Sequence, residues 1–389
     1  MSEHSILPPS GAGDIVRCTG VVKMRQMFPP LEEETVESRE GEASHWVAAT
    51  ELNSYRNPDA EVLTCESLIG ETAPNGVVIT AEMAEAAHEY TMDVHKVSNT
   101  IGGLRKMFVE HKLYAPQIHP LNFGTCDCFI FDQERGELWV WDYKYGHDYV
   151  SEFDNWQLTN YIAGIVHLFK IDGIADQHIR VHVRIAQPRC YSAGGIIREA
   201  NFLLSDFRGD FNYLSAKFHE ALSPEAKTTS GPQCRHCSAR HSCGTARKAA
   251  SAAIDYSEHP EPQALDDEAI GIELAFLRRA ADAIKYRLEG LEELADVRSR
   301  AGHSIYGHMR EANKGRTHWS RPAPEVILLG KLMEVDLAKP PEAITPTQAT
   351  KKLSKAGKDP SVIKAFSTYD TGSKLVAINS DKLKRRFKT

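Results

Sequence analysis

Two aspartates and a lysine stand close together in an otherwise apolar stretch. It reads Gly124-Thr-Cys-Asp127-Cys-Phe-Ile-Phe131, then a short charged turn, then Leu138-Trp-Val-Trp-Asp142-Tyr-Lys144. Apolar runs of this length separated by a turn containing Gly136 predict two neighbouring strands. Side chains alternate along a strand, so Asp142 and Lys144 share one face, with Asp127 on the adjacent strand. Carboxylates converging beside an ammonium form a hard, oxygen-rich site for a divalent cation, and that chemistry suits phosphodiester hydrolysis. An Asp-x-Lys tripeptide alone is common, so its surroundings decide what it means.

Those surroundings contain two helical motifs. Gln157-Leu-Thr-Asn-Tyr161 places Gln157 and Tyr161 four residues apart, on one face of a predicted helix. Upstream, Glu40-Gly-Glu-Ala-Ser-His45-Trp begins a helix, expected over about 42–52, that can carry His45 toward the same place. In this order the four segments resemble the PD-(D/E)xK nuclease superfamily in its RecB-like branch. There, a Gly-x-x-x-His helix, a Gly-Thr-x-Asp strand, a (D/E)-x-Lys strand and a Gln-x-x-x-Tyr helix follow one another. The resemblance implies that His45, Asp127, Asp142 and the Tyr143 carbonyl hold Mg²⁺ or Mn²⁺. It also implies that Lys144 orients or deprotonates the attacking water and that Gln157 and Tyr161 position strand or lysine. Glu110 ranks behind these as a further acid.

Eight cysteines are present, and three of them lie in Cys234-Arg-His-Cys237-Ser-Ala-Arg-His-Ser-Cys243. Thiolates packed this densely call for a metal, and soft sulfur selects zinc or an iron–sulfur cluster. A zinc knuckle would complete itself with His236 or His241; a [4Fe–4S] cluster needs a distant fourth cysteine. Iron–sulfur members of the RecB-like branch have one cysteine well before the catalytic motifs and three after them. By that resemblance Cys18 is the fourth ligand, its setting being similar to the opening of a phage and prophage nuclease family, and the cluster is favoured over zinc. Closing so long a loop would remove roughly 4–5 kcal/mol of unfolded-state freedom, by analogy with a disulfide. Cys126 and Cys128 flank Asp127 and are expected to share the opposite face of its strand as small buried hydrophobes. Cys65 and Cys190 read as structural.

The elements that must position these residues mix strand and helix. Strands are expected near 115–119, 124–131, 137–144 and 179–187. A long or broken helix is expected over 80–113, with another near 207–221 leading to the cysteines. The fold class is therefore α/β, a mixed central sheet flanked by helices, and the resemblance makes it a restriction-endonuclease-like core. We divide the chain into a nuclease domain over 1–256, including a Pro-rich arm over 1–35, a linker and heptad-patterned helix over 257–300, and a small α+β region over 301–389. Ile270, Leu274, Leu277, Ala281, Ile284, Leu288 and Leu291 step by four and three, suiting either intrachain packing or a homo-oligomer. Lys314, Arg316, His318, Trp319 and Arg321 form a basic, aromatic cluster expected on a hairpin over 304–320, open to a nucleic-acid strand or to solvent. A helix is expected from Thr345, and Lys382–Lys388 is basic.

The 389 residues carry 46 basic and 53 acidic side chains, a net charge of −7. That balance excludes a nonspecific nucleic-acid coating protein but leaves room for a local basic groove. With 42% hydrophobic residues a sizeable core is assured. No apolar run reaches membrane-spanning length, and the N-terminus lacks a signal-peptide pattern, so a cytoplasmic location in a bacterial or phage-infected cell and no membrane partner are expected. The resemblance implies a metal-dependent DNA nuclease, most often an exonuclease at DNA ends. In phage-type recombination it would work beside a single-strand annealing or binding protein. Two other readings are a catalytically inactive nuclease-fold scaffold and a zinc-stabilised DNA-binding protein.

Overall fold

A computed structural model describes residues 5–31, 35–56, 61–100, 107–190, 192, 194–256, 266–308 and 359. The chain divides into two compact units, Met1–Gly307 and His308–Thr389. The basic, aromatic cluster, the helix expected from Thr345 and the basic end lie outside the described residues, as does the linker expected over 257–264.

Five strands, β1 (Met107–Tyr114), β2 (Phe123–Asp132), β3 (Glu137–Tyr143), β4 (Arg180–Ala186) and β5 (Ile197–Leu203), form one sheet in sequence order. Eight α-helices are described: α1 (Ala12–Arg17), α2 (Val21–Met27), α3 (Val36–Arg56), α4 (Ala81–Thr100), α5 (Trp156–Phe169), α6 (Arg208–Leu222), α7 (Gly244–Tyr256) and α8 (Asp267–Arg300). β3 and β4 are parallel, and the other neighbours are antiparallel. A parallel pair needs a long crossover, which α5 supplies. This is the mixed α/β architecture expected. Among the described residues no helix is long and apolar enough to cross a membrane.

Both faces of the sheet are covered, which is why β3 reads as an almost unbroken apolar run. Leu138 and Val140 enter a core shared with α1, α5 and α6. Trp139, Trp141 and Tyr143 enter a second core built from α3 and α4. Close packing fixes α5 on the first face: a Cβ added at Gly164 would stand 2.8 Å from Leu113 Cβ. Gly164→Val is therefore expected to cost about 1–3 kcal/mol through overpacking. A depressed midpoint in thermal or urea unfolding would show it; an unchanged midpoint would contradict this packing.

Several elements depart from expectation. The helix expected over 80–113 ends at Thr100, and Met107-Phe-Val-Glu-His-Lys-Leu-Tyr114 is the edge strand β1. Its alternating burial is a strand signature that the polar residues of the preceding helix obscured. Residues 115–119, expected as a strand, form a turn that returns the chain to β2. β5 carries no clear strand signal in the sequence, because Ile-Arg-Glu-Ala-Asn-Phe-Leu is half polar, as suits the strand at the other edge of the sheet. The N-terminal segment expected as an arm is folded into the core instead, with Leu7, Ala12, Ile15 and Val21 all buried.

Candidate functional site

At one end of the sheet the ladder opens and three acids face one another. Val109 pairs with Cys128 and His111 with Cys126, so Glu110 and Asp127 occupy facing positions between them. The β2–β3 ladder stops at Cys128 with Trp141, and one step further Asp127 would face Asp142. Instead the Tyr143 N–H donates to Asp127 Oδ2 at 2.7 Å. Glu110 has φ 45°, a left-handed backbone rarely adopted by a residue with a side chain. That irregularity shifts the side-chain alternation. The alternation breaks at the facing position of β2 as well: Cys126 packs in the α5 core and Cys128 in the α3–α4 core, so they lie on opposite faces instead of sharing one.

α3 delivers His45 to this row. Its Nδ1 lies 3.5 Å from Asp127 Oδ1 and 3.6 Å from Glu110 Oε1. Ser44 and the Tyr143 hydroxyl, 2.7 Å apart, tie the helix to β3. Donor atoms of His45, Glu110 and Asp127 all fall within 4.8 Å of one another, a spacing that can hold one cation. Burial opposes charge on His45, but Asp127 and Glu110 outweigh it and raise its pKa to about 9.

α5 delivers the second half of the site. Asn155 caps it, its side chain accepting from the Gln157 and Leu158 N–H groups. From the first turn Gln157 Nε2 donates to Asp142 Oδ1 at 2.8 Å and to the Tyr161 hydroxyl at 3.1 Å. Its Oε1 accepts from Lys144 Nζ at 3.2 Å, and Lys144 reaches Asp142 Oδ1 at 2.9 Å. Asp142 is fully buried, and its Oδ2 has no hydrogen-bond partner among the described residues. Burial pushes its pKa up, with Lys144 pulling the other way and Asp127 adding to the rise. Burial also raises Asp127, against the pull of His45. For Lys144 burial favours the neutral amine, but Asp142 and Asp127 outweigh it and its pKa rises.

His45, Asp127, Asp142, Tyr143, Lys144, Gln157 and Tyr161 are thus gathered in one place, and Glu110 joins them. The sequence places Glu110 before the first core strand and behind the other acids; as a strand residue opposite Asp127 it belongs to the row. The glycines of the motifs have different causes. A Cβ at Gly124 would meet Pro9 at 2.5 Å, so packing demands that glycine, whereas a Cβ at Gly41, one helical turn before His45, would meet nothing within 4 Å.

A second group forms around the cysteines. Cys18 follows α1, and its Sγ accepts from the Thr229 N–H at 3.4 Å. The Gly20 N–H donates to the Lys227 carbonyl at 2.9 Å, joining the two segments directly. Burial raises the Cys234 thiol's pKa, and charge on Cys237, Cys18 and Cys243 would raise it further. Cys237 is raised in the same way, with Cys18 and Cys243 contributing. Cys18 and the three cysteines of the loop, more than two hundred residues apart in sequence, therefore share one neighbourhood. Among the described residues no three of these sulfurs, with or without His236 or His241, come within 4.8 Å of one another. His236 is exposed, while His241 is buried beside Phe28. α8 holds the loop from outside: Arg287 donates to the Arg240 and His241 carbonyls, and Arg240 pairs with Glu293 at 3.0 Å. Cys65 and Cys190 are buried, as expected for structural residues.

No curated protein matches the chain. The profile of a family described as protein of unknown function (DUF2800) matches residues 4–384, nearly the whole length. The chain belongs to the DUF2800 family.

Proposed function

We propose that this protein is a divalent-metal-dependent deoxyribonuclease of the PD-(D/E)xK, RecB-like kind, acting at DNA ends. The observation that carries the reading is the buried Asp142 carboxylate, unpartnered at Oδ2, held beside Lys144 and next to the His45–Glu110–Asp127 donor set. An uncompensated buried oxygen costs stability, so its retention points to a ligand it serves. The donors are one imidazole and carboxylates, a set suited to Mg²⁺ or Mn²⁺. When bound, such a cation polarises a phosphate and acidifies a water.

The chain's own residues do the rest. Gln157 locks Asp142 and Lys144 into one geometry, and Asn155 sets the helix turn that presents Gln157. Lys144 is held protonated by the two aspartates, so it donates hydrogen bonds to the attacking water and offsets charge developing on the phosphate; it does not serve as a base in this state. Tyr161 steadies Gln157, and the open space beside Gly41 leaves room for the substrate next to His45.

The test is Mg²⁺-dependent degradation of end-labelled linear DNA against a covalently closed circle of the same sequence. Loss of the linear form alone supports an exonuclease. Both substrates surviving in Mg²⁺ and in Mn²⁺, with an oligonucleotide still bound, would make the protein a binding subunit and end the catalytic reading.

A pH dependence follows from His45. Without metal its proton is shared with Asp127 and Glu110. Because the folded pKa near 9 exceeds the ordinary 6.5, that stabilisation is complete below about pH 6.5 and is lost as pH rises through 9. A cation on the same three groups must displace the proton, so Mn²⁺ affinity is expected to rise roughly tenfold per pH unit between 6.5 and 8.5. Calorimetric titration at several pH values checks this, and His45→Gln should flatten the slope. A flat slope in the wild type would remove His45 from the ligand set.

For the cysteines we propose a [4Fe–4S] cluster in preference to zinc. Cys18 beside the loop that carries Cys234, Cys237 and Cys243 supplies the four cysteine ligands that such a cluster takes. When bound, the cluster ties Cys18 to the loop that carries the other three ligands.

A further inference from the structure

We infer that the rim of β1 and β2 beyond Glu110 is a subsite for single-stranded nucleic acid, guiding the strand to be cut away from the acids. The inference rests on the nuclease reading above and assigns it a substrate path. Past the Glu110 irregularity Leu113 and Cys126 turn into the α5 core, so Lys112, Tyr114, Phe123 and Thr125 turn outward on the opposite face. Their pairs, Lys112 with Thr125 and Tyr114 with Phe123, follow the Glu110–Asp127 pair in steps of two residues. Each step advances about 6.8 Å along the strand, on the scale of one nucleotide of an extended chain.

The residue types suit the two parts of a nucleotide. Tyr114 and Phe123 have ring centroids 5.6 Å apart, and Tyr114 is 50% exposed, so the pair offers a ledge on which a base can stack. Lys112 Nζ lies 4.4 Å from the Phe123 ring and 5.4 Å from Tyr114. It makes no ion pair among the described residues, so its charge is available for a phosphate. Around the edge of β1 a cavity of about 630 Å³ continues from Lys112 and Tyr114 to His167 and Lys170. Arg208 also lines it but is bound by Asp176 at 2.6 Å, and Asp172 is the acidic residue on its wall. In a chain of net charge −7, a basic and aromatic path beginning at the candidate acids answers how an anionic polymer is received. Recognition of this kind is tolerant of sequence, since every base has a face to stack.

The experiment uses the full chain with Asp142→Asn to prevent cutting, a fluorescent oligothymidylate, and anisotropy across a salt series. Tyr114→Ala is expected to weaken binding roughly 5- to 100-fold. Lys112→Gln should weaken it and lower the logarithmic salt slope by about 0.7. A 5-iodouridine oligonucleotide should cross-link to Tyr114 or Phe123, a result that a structural role would not produce. Phe123→Leu keeps the apolar volume and guards against misfolding; it too should weaken binding. If all variants bind like the parent and cross-links fall elsewhere, the path is wrong even though the enzyme still cuts DNA. If the unsubstituted protein neither binds the oligonucleotide nor cuts DNA, the path and the nuclease reading fall together.

Discussion

Asp142→Asn is expected to reduce Mg²⁺-dependent DNA cleavage by at least about 10³-fold while leaving the protein as stable as the wild type or more so. The two effects share one cause. The carboxylate is fully buried, satisfied at Oδ1 by Gln157 and Lys144 and unpartnered at Oδ2. Burying charge is costly, and an isosteric amide removes that cost along with the negative charge a cation needs. Lys144→Ala should also abolish cleavage, but by losing a positive charge beside two buried acids it should lower stability by about 2 kcal/mol. The double variant should regain part of that loss, because Asp142 no longer needs the lysine's charge although Asp127 still does. Single-turnover cleavage assays and urea unfolding of the three variants measure both effects. An Asp142→Asn protein that still cuts DNA at a tenth of the wild-type rate would remove Asp142 from the machinery. Equal destabilisation in the Lys144→Ala and double variants would show that the pair is not coupled.

The second large effect concerns the cysteines. Protein purified without oxygen should be brown, with broad absorbance near about 400 nm, and Cys18→Ala should be colourless. Joining Cys18 to Cys234, Cys237 and Cys243 spans most of the folded unit. By the loop-closure argument used for disulfides, its removal should cost about 5 kcal/mol. For a unit of this size that lowers the melting temperature by roughly 10–20 °C. Cys65→Ala, at a buried site apart from the group, should keep the colour and separates a cavity effect from ligand loss. Colourless wild-type protein containing one zinc would overturn the cluster. So would a Cys18→Ala variant with full colour and an unchanged melting temperature. The consequence would reach α8, whose Arg287 clasps the carbonyls of Arg240 and His241 in the same loop.

Much of the candidate site was legible because its residues carry chemistry at fixed intervals. Asp142 and Lys144 announce themselves by the period of two along a strand, and Gln157 and Tyr161 by the period of four on a helix. Both intervals survive folding because hydrogen bonding within the element enforces them. Glu110 was harder to read: its weight comes from facing Asp127 across a ladder, and no local interval encodes that partner. Its positive φ belongs to a residue type that rarely adopts one, so sequence propensity points away from it. The sharing of Cys126 and Cys128 between two cores was hidden for the same reason, since the irregularity that separates them is a property of the strand pair.

What this sequence determined by itself is the class of the fold, the strands and helix that carry Asp127, Asp142, Lys144 and Gln157, and the inventory of groups able to bind metal. Apolar periodicity and residue chemistry are local, and they read the same in any conformation. The tertiary structure alone decided which groups meet. It set Glu110 beside His45 and Asp127, left Asp142 Oδ2 buried without a partner, brought Cys18 to a loop two hundred residues away, and turned Lys112, Tyr114 and Phe123 outward on one rim. Each of these depends on strand register and close packing between distant segments. Those are settled by the whole core at once, so no single stretch of residues contains them.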